Sequence, residues 1–119
     1  MTTFISFSIN CKEKSLIIEK ILPIVKLTKS KNGETGTATF IFIRPSIFEF
    51  EKLWNQSLIT GLYLNWANKK IVTNDISIFF ENGKPFYLKG IFIFKNSPEW
   101  FNFLNFMSSY SEETGLFYE

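Results

Sequence analysis

Short segments in which apolar and polar residues alternate make up much of the chain, and this alternation predicts β-strands. A period of two places every second side chain on the same face of a sheet, so that one face is buried while the other meets water. Pro23 ends a segment, residues 11–21, that is ambiguous between a short helical turn and an irregular connection. Candidate strands lie at residues 4–9, 24–30, 37–43, 59–66, 71–80 and 86–94.

Turn-forming residues between the candidate strands predict hairpins. Residues 31–36 carry two glycines and join one pair of strands, and residues 68–69 can turn the chain again. Asn82-Gly83 favours a type I′ turn, since both central residues of that turn need a positive φ. Pro85 has no N–H for a ladder hydrogen bond, so it is expected at the start or the edge of its strand.

Near its C-terminus the chain changes from a period of two to a helical period. Ser97 is expected to cap the helix, Pro98 fits its first turn, and Gly115 lies beyond its expected end. The spacing i, i+3, i+4 and i+7 is occupied by Trp100, Phe103, Leu104 and Met107. Residues 46–57 are expected to form a short helix or an ordered loop.

Together these elements predict a single α+β domain over residues 1–119. Its expected architecture is an antiparallel β-sheet of about five strands, built from hairpins, with the C-terminal helix packed on one face. Because the helix has no other large apolar surface to bury against, Trp100, Leu104 and Met107 are expected to touch the sheet.

The composition excludes several classes of function. The 119 residues carry a net charge of +2, from 13 basic and 11 acidic side chains, without the basic excess typical of nucleic-acid binders. The absence of histidine rules out His-based triads and His metal ligands. The only cysteine, Cys11, cannot form an intrachain disulfide and indicates a reducing compartment. No apolar run approaches the roughly 20 residues that a membrane-spanning helix needs.

Phenylalanine alone accounts for 15 residues, and isoleucine, lysine and asparagine are also abundant, whereas Arg44 is the only arginine. These abundant residues have AT-rich codons, so a biased genome, of which plastid genomes are one kind, explains the excess better than a functional aromatic surface does. Residues 1–10 contain no basic residue and lack the order of a signal peptide, which favours a cytosolic or organelle-encoded chain.

One candidate binding surface is a group of three lysines before the first glycine-rich turn. Lys26, Lys29 and Lys31 either form a basic strip that docks on an acidic surface or are ordinary solvated charges. Lys29 and Lys31 project from the same side if the strand continues that far. Residues 33–37 lack the pattern of a phosphate-binding loop, and the scattered carboxylates do not support a paired-acid catalytic site.

A second candidate surface is the apolar side of the sheet that faces away from the predicted core. It contains Phe79, Tyr87, Ile91 and Ile93. Either a second element of the chain or a partner is expected to cover it, because such a face is unusually apolar for water. Trp66 beside Lys69 and Lys70 is the only local match to the stacking sites of single-stranded nucleic-acid binders, and it is weak.

Four blocks of the chain, in order, resemble the Psb28 family of photosystem II. They are residues 23–40 (PIVKLTKSKNGETGTATF), 59–64 (ITGLYL), 80–85 (FENGKP), and a set within residues 99–116 that ends in EETGL. The family usually has arginines where this chain has Lys26, Lys29 and Lys31, and lysine keeps the charge but loses bidentate geometry. The helix also carries fewer charged residues than is common in the family.

The resemblance implies an α+β domain that is not an enzyme and holds no cofactor or metal. It implies an assembly factor that binds immature photosystem II transiently at the stromal face, or at the cytoplasmic face if the source is cyanobacterial. The implied partners are reaction-centre subunits and one inner antenna subunit, with no nucleic acid, and the location is peripheral on the thylakoid membrane of a plastid. Strand addition to a sheet edge is the expected mode, and the candidate partner-binding residues are Lys26, Lys29, Lys31, Gly33, Gly36 and Thr37. A small RNA- or ssDNA-binding β-domain is the alternative.

Overall fold

A computed structural model of the protein describes residues 3–9, 15–49 and 59–116. This part of the chain contains eight strands, one short 3-10 helix at Ser46–Glu49 and one α-helix, α1, at Ser97–Thr114. The strands are β1 (Phe4–Ile9), β2 (Ser15–Glu19), β3 (Ile24–Lys29), β4 (Gly36–Ile43), β5 (Ile59–Trp66), β6 (Lys69–Thr73), β7 (Ile76–Glu81) and β8 (Lys84–Phe94). They form two antiparallel four-stranded sheets, a first sheet in the order β2-β1-β5-β6 and a second in the order β3-β4-β8-β7.

The inner faces of the two sheets pack against each other. Phe7 of the first sheet meets Phe42 of the second edge to face, with ring centroids 5.3 Å apart. Leu62 of the first sheet lies against Gly90 of the second, where a Cβ would come within 2.6 Å of a leucine methyl carbon. Alternation along each strand therefore produces one shared core, since every second residue points to the facing sheet.

Helix α1 packs against the inner faces of both sheets through aromatic rings. The Phe103 ring lies 6.2 Å from that of Phe40 in β4, and the Phe106 ring lies 5.5 Å from that of Trp66 in β5. Trp100 and Met107 are fully buried, and Leu104 packs at the margin of the core. Trp100 meets the sheet as expected, with its ring 5.6 Å from that of Phe94 in β8, while Met107 belongs to the shared core and Leu104 packs against it.

The ends of α1 follow the sequence signals, with one correction. The N-cap is Asn96 rather than Ser97: the Asn96 side chain accepts a hydrogen bond from the Glu99 N–H at 3.0 Å. Asn96 has extended backbone angles, whereas Ser97 is already helical, and a cap residue must precede the first helical one. Pro98 lies in the first turn and Gly115 ends the helix with a φ of 77°, as predicted.

Two tight turns have the positive φ values of type I′ hairpins. Asn82 and Gly83 have φ of 54° and 77° between β7 and β8, which confirms the predicted turn. Ala67 and Asn68 have φ of 46° and 62° between β5 and β6, one residue earlier than predicted. Pro85 is the second residue of β8, at the start of the strand as expected.

The α+β class, the antiparallel pairing and the C-terminal helix are confirmed, but one sheet of about five strands is wrong. The predicted strand at 71–80 is divided between two sheets, because the chain bends at Asn74 and Asp75 after β6. The Thr73 hydroxyl accepts from the Asp75 N–H and donates to the Ile91 carbonyl, which holds this crossing in place. The ambiguous segment 11–21 contains β2. Of residues 46–57, those after Glu49 lie outside the described part.

A buried carboxylate holds the 3-10 helix against β2. Glu19 is 5% exposed and accepts hydrogen bonds from the N–H groups of Ile21, Ser46 and Ile47 and from the Ser46 hydroxyl. A charged group is tolerated in a core when its lone pairs are satisfied in this way. Glu19 therefore has a structural role: it fixes the segment that follows β4 against β2.

Candidate functional site

The six partner-binding candidates lie along one hairpin at the edge of the second sheet. Lys26 and Lys29 belong to β3, Lys31 and Gly33 to the turn, and Gly36 and Thr37 to the start of β4. Strand β3 pairs only with β4 among the described strands, so its other side is an open edge. We call this unpaired side the β3 edge.

Hydrogen-bond alternation identifies which backbone groups point outward from the β3 edge. Ser30 donates its N–H to the Thr35 carbonyl at 3.1 Å. In an antiparallel pair, residues that bond the neighbour alternate with residues that face away, and the register of β3 with β4 is uninterrupted. The N–H and C=O groups of Val25, Leu27 and Lys29 therefore point away from β4.

The three lysines do not form one continuous strip. Lys26 pairs with Thr39 and projects to the side of the sheet that faces away from the core, whereas Lys29 has the parity of the core residues Val25 and Leu27. Strand β3 ends at Lys29, so the condition under which Lys29 and Lys31 would share a side is not met. All three lysines are exposed and surround the β3 edge from different directions.

The turn after β3 is ordered by its own polar side chains. Asn32 accepts from the Ser30 hydroxyl at 2.7 Å and from the Glu34 N–H at 3.0 Å, and the Ser30 oxygen accepts from the Thr35 N–H at 3.1 Å. Gly33 has a φ of 73°, a value that side chains rarely allow. The turn is thus a fixed projection beside the β3 edge.

Gly36 differs from the other candidates because it packs inward. A Cβ at this position would lie 2.6 Å from the Trp100 ring and 2.8 Å from the Thr28 carbonyl oxygen. The missing side chain allows Trp100 of α1 to approach β4. Gly36 therefore serves the core, and nothing in its surroundings directs it toward a partner.

A wider open surface is the side of the second sheet that faces away from the first. We call it the outer face, and its residues are Ile24, Lys26, Thr28, Thr37, Thr39, Ile41, Ile43, Ser77, Phe79, Tyr87, Lys89, Ile91 and Ile93. Glu81 at the end of β7 and its partner Lys84 border this face beside the hairpin turn. Four of its apolar side chains are between 38% and 61% exposed: Phe79, Ile43, Ile24 and Ile93. No described element lies over the outer face, so of the two alternatives, an intramolecular cover finds no support in the described chain.

The outer face contains an aromatic stack and two lysines. Phe79 and Tyr87 are cross-strand partners whose rings stack with centroids 4.4 Å apart. Lys89 stands between Tyr87 and Ile91 on β8. It is not among the residues predicted from the sequence, although it alternates in phase with Tyr87 and Ile91. Lys89 pairs with Ile41, two residues along β4 from the Thr39 partner of Lys26, so both cations lie within the apolar surface.

A cleft of about 460 Å³ lies between β6 and the end of β8. It is lined by residues of both strands, together with Glu99 and Asn102 of α1. Within residues 3–9, 15–49 and 59–116, no three His, Cys, Asp or Glu side chains are grouped so that they could hold a metal. The cleft has no arrangement of a nucleophile with a base on which a reaction could be built.

The weak nucleic-acid match is not supported by the ring positions. The Trp66 ring packs against Phe106 in the core, so it is not presented as a platform for a base. Lys70 instead places its ammonium 5.6 Å from the centroid of the Tyr63 ring. Aromatic and basic residues are adjacent here for reasons internal to the protein.

Two titratable groups on α1 have shifted pKa values. Burial, together with the nearby charge of Glu19, raises the pKa of Tyr110 to about 12. Hydrogen bonds from the side chain and backbone of Thr3 lower the pKa of Glu113, with a further bond from Ser109. Both groups belong to α1, the Glu113 carboxylate accepts from the Thr3 N–H, and neither group lies on the two open surfaces.

The helices are not membrane spans. In the part of the chain that the structure describes, none is both long and apolar enough to cross a bilayer.

Comparison with known proteins decides the family. The family model described as Psb28 protein matches residues 14–118. The chain belongs to the Psb28 family. A relative from Guillardia theta named photosystem II reaction center Psb28 protein is 40% identical over 98 residues, which cover 82% of this chain and 84% of the relative.

Other Psb28 proteins show similar levels of identity. One with the same name from Phaeodactylum tricornutum is 43% identical over 98 residues, covering 82% of this chain and 84% of its own. Another from Nostoc punctiforme is 40% identical over the same length and coverage. The resemblance noted in the sequence is thus confirmed for the greater part of the chain, including the β3 edge and α1.

Proposed function

We propose that this Psb28 chain is a non-catalytic assembly factor of photosystem II, the complex for which its relatives are named. It binds reaction-centre subunits and one inner antenna subunit of the immature complex transiently and holds them in one conformation. It does so at the stromal face of the thylakoid membrane in a plastid, or at the cytoplasmic face in a cyanobacterium. It remains peripheral to that membrane and uses no cofactor.

The observation that carries the binding mode is the β3 edge. Val25, Leu27 and Lys29 each direct an N–H and a C=O outward, and no described strand pairs with β3 on that side. An extended segment of a partner can continue the second sheet there, because a strand edge is a template for main-chain hydrogen bonds. The mode is therefore strand addition.

The charges around the β3 edge define the kind of segment that fits. Lys26, Lys29 and Lys31 are exposed around it, whereas Glu34 is the only acidic residue of the adjoining turn. Lysines on an edge strand discourage a second copy of the same strand from adding, since like charges would face each other. They favour a partner segment that carries carboxylates on both of its faces.

The association with photosystem II is tested by co-purification. A tagged chain is recovered from solubilised thylakoids, and the accompanying subunits are identified by mass spectrometry. We expect reaction-centre subunits and an inner antenna subunit in assemblies that lack part of the mature complex. Recovery of the tagged chain without any photosystem II subunit contradicts the proposed function.

The contribution of the lysines is tested by reversing their charge. Lys29→Glu/Lys31→Glu should weaken binding to isolated immature complexes roughly tenfold or more, because like charges then face the partner's carboxylates. Lys69→Glu/Lys70→Glu makes the same change in net charge on the other sheet and is the matched control. Equal binding by the two double variants would show that the β3 edge is not the interface.

Strand addition itself is tested by removing one outward N–H. Lys29→Pro deletes a donor that β4 does not use, while Lys29→Ala deletes the same charge and keeps the donor. We expect the proline variant to bind more weakly than the alanine variant, with unchanged circular dichroism. If the two bind alike, the contact at β3 is made by side chains alone.

A further inference from the structure

The outer face of the second sheet has the composition of a surface that meets an anionic interface. Lys26 and Lys89 stand among isoleucines, threonines and the Phe79–Tyr87 stack. The acidic residues of the described chain that share this side, Asp75 and Glu81, lie only at its border, just before β7 and at its end. Four strands at the usual spacing make it about 15 Å wide. A solvated sheet face normally alternates charges of both signs, whereas the interior of this face carries lysine as its only charged residue.

The charge pattern argues against a second copy of the chain as the occupant. A two-fold contact brings the same surface from both copies together, so Lys26 and Lys89 would meet mostly isoleucine, hydroxyl groups or each other, with carboxylates only at the border of the face. Buried ammonium groups without a carboxylate partner are costly. An occupant that supplies negative charge to the interior of this face therefore fits it better than a second copy does.

Between an acidic protein and a lipid surface, the groups on the outer face favour lipid. The main-chain groups of the strands at its centre are bonded within the sheet, so the face offers no ladder to a peptide. What remains is lysine, tyrosine and aliphatic side chains on a flat area. These side chains suit the boundary between headgroups and acyl chains, where tyrosine is enriched and lysine reaches phosphate.

We infer that the outer face binds the surface of a membrane that contains anionic lipid, with Lys26 and Lys89 at the headgroups and Ile24, Ile43, Phe79 and Ile93 at the apolar boundary. The β3 edge lies at the side of this face, so a chain lying flat on the membrane keeps that edge accessible to an extended segment. The inference goes beyond subunit recognition and does not depend on it, because it concerns lipid alone.

The test uses the purified chain and sedimentation with vesicles. We expect binding to vesicles of phosphatidylcholine mixed with phosphatidylglycerol, weakening as salt is added, and little binding to phosphatidylcholine alone. Lys26→Gln/Lys89→Gln should reduce the affinity roughly 30-fold, since each lysine near an anionic membrane contributes a factor of about five. Lys69→Gln/Lys70→Gln is the matched control and should lose much less.

Each other outcome overturns the inference. Absence of binding to the anionic vesicles, equal loss in the two double variants, or equal binding to both kinds of vesicle would show that the outer face is not a lipid surface. Light scattering on the same samples measures whether the chain forms a dimer. If it does, and if Lys26→Gln/Lys89→Gln changes the fraction of dimer, the outer face is a protein interface. Failure here leaves co-purification with photosystem II unaffected, so the two proposals fail separately.

Discussion

The inner and outer faces of the second sheet are built from the same strands, and both are rich in apolar residues. The inner face carries Phe40, Phe42, Leu88, Phe92 and Phe94, which are 5% exposed or less. The outer face carries mainly isoleucine and threonine with two lysines, and several of its aliphatic side chains are about half exposed. The content of phenylalanine and of lysine, more than total hydrophobicity, thus distinguishes the buried inner face from the exposed outer face.

The difference predicts that equivalent truncations on the two faces have unequal effects. Phe40 has no exposed surface and its ring contacts those of Phe42, Phe92 and Phe103. Phe40→Ala should lower the free energy of unfolding by about 3–5 kcal/mol, because it removes apolar contacts and leaves a cavity. Urea denaturation measures this loss, and a loss below about 1 kcal/mol would mean that the inner face is not the packed one.

The second prediction assigns Gly36 to the inner face. Gly36→Ala would press a methyl group against the Trp100 ring and the Thr28 carbonyl oxygen, so it should destabilise the protein by about 3 kcal/mol. Partner binding per folded molecule should stay unchanged. If the variant instead has normal stability but no longer binds immature complexes, Gly36 is part of the partner-binding surface.

The contrast also explains what the sequence could predict. Strands β1, β3, β4, β5 and β8 alternate plainly, and the Asn82-Gly83 turn has one favoured geometry, so all of these were predictable. Strand β2 was not, because one of its inward positions is a carboxylate, Glu19, and three of its four hydrogen bonds come from Ser46 and Ile47, 27 and 28 positions further along the chain. Long-range satisfaction of a buried charge leaves no local signal.

The division of residues 71–80 between two sheets was missed for a similar reason. Thr73 and Asp75 look like ordinary strand residues, and only their hydrogen bonds with Ile91 reveal that the chain is leaving one sheet for another. At the candidate site, the three lysines were identified from their charge and their position before the glycine-rich turn. Whether they share a face depends on where β3 ends. Lys89 alternates in phase with Tyr87 and Ile91 in the sequence, but its distance from Lys26 depends on how β8 pairs with β4.

The third prediction concerns the helix that closes the inner side. The pKa of Tyr110 is raised to about 12, above its ordinary value of 10, so the folded state keeps this proton when the unfolded state has lost it. Stability from this group is fully present below pH 10 and falls by on the order of 2 kcal/mol as the pH rises to about 12. Tyr110→Phe should flatten this alkaline decline, measured by urea denaturation across that range. An equally steep decline in the variant would trace it to other groups.

The smallest expected effect lies on the outer face. Ile93 is 61% exposed, and Ile93→Thr keeps a β-branched side chain that suits a strand, so the free energy of unfolding should change by no more than about 0.5 kcal/mol. The same variant should bind anionic vesicles more weakly than the unaltered chain, because it removes apolar area from the lipid boundary. Near-neutral stability combined with lost vesicle binding is what an exposed apolar residue retained for contact predicts. A loss of stability comparable to that of Phe40→Ala would show that the two faces do not differ.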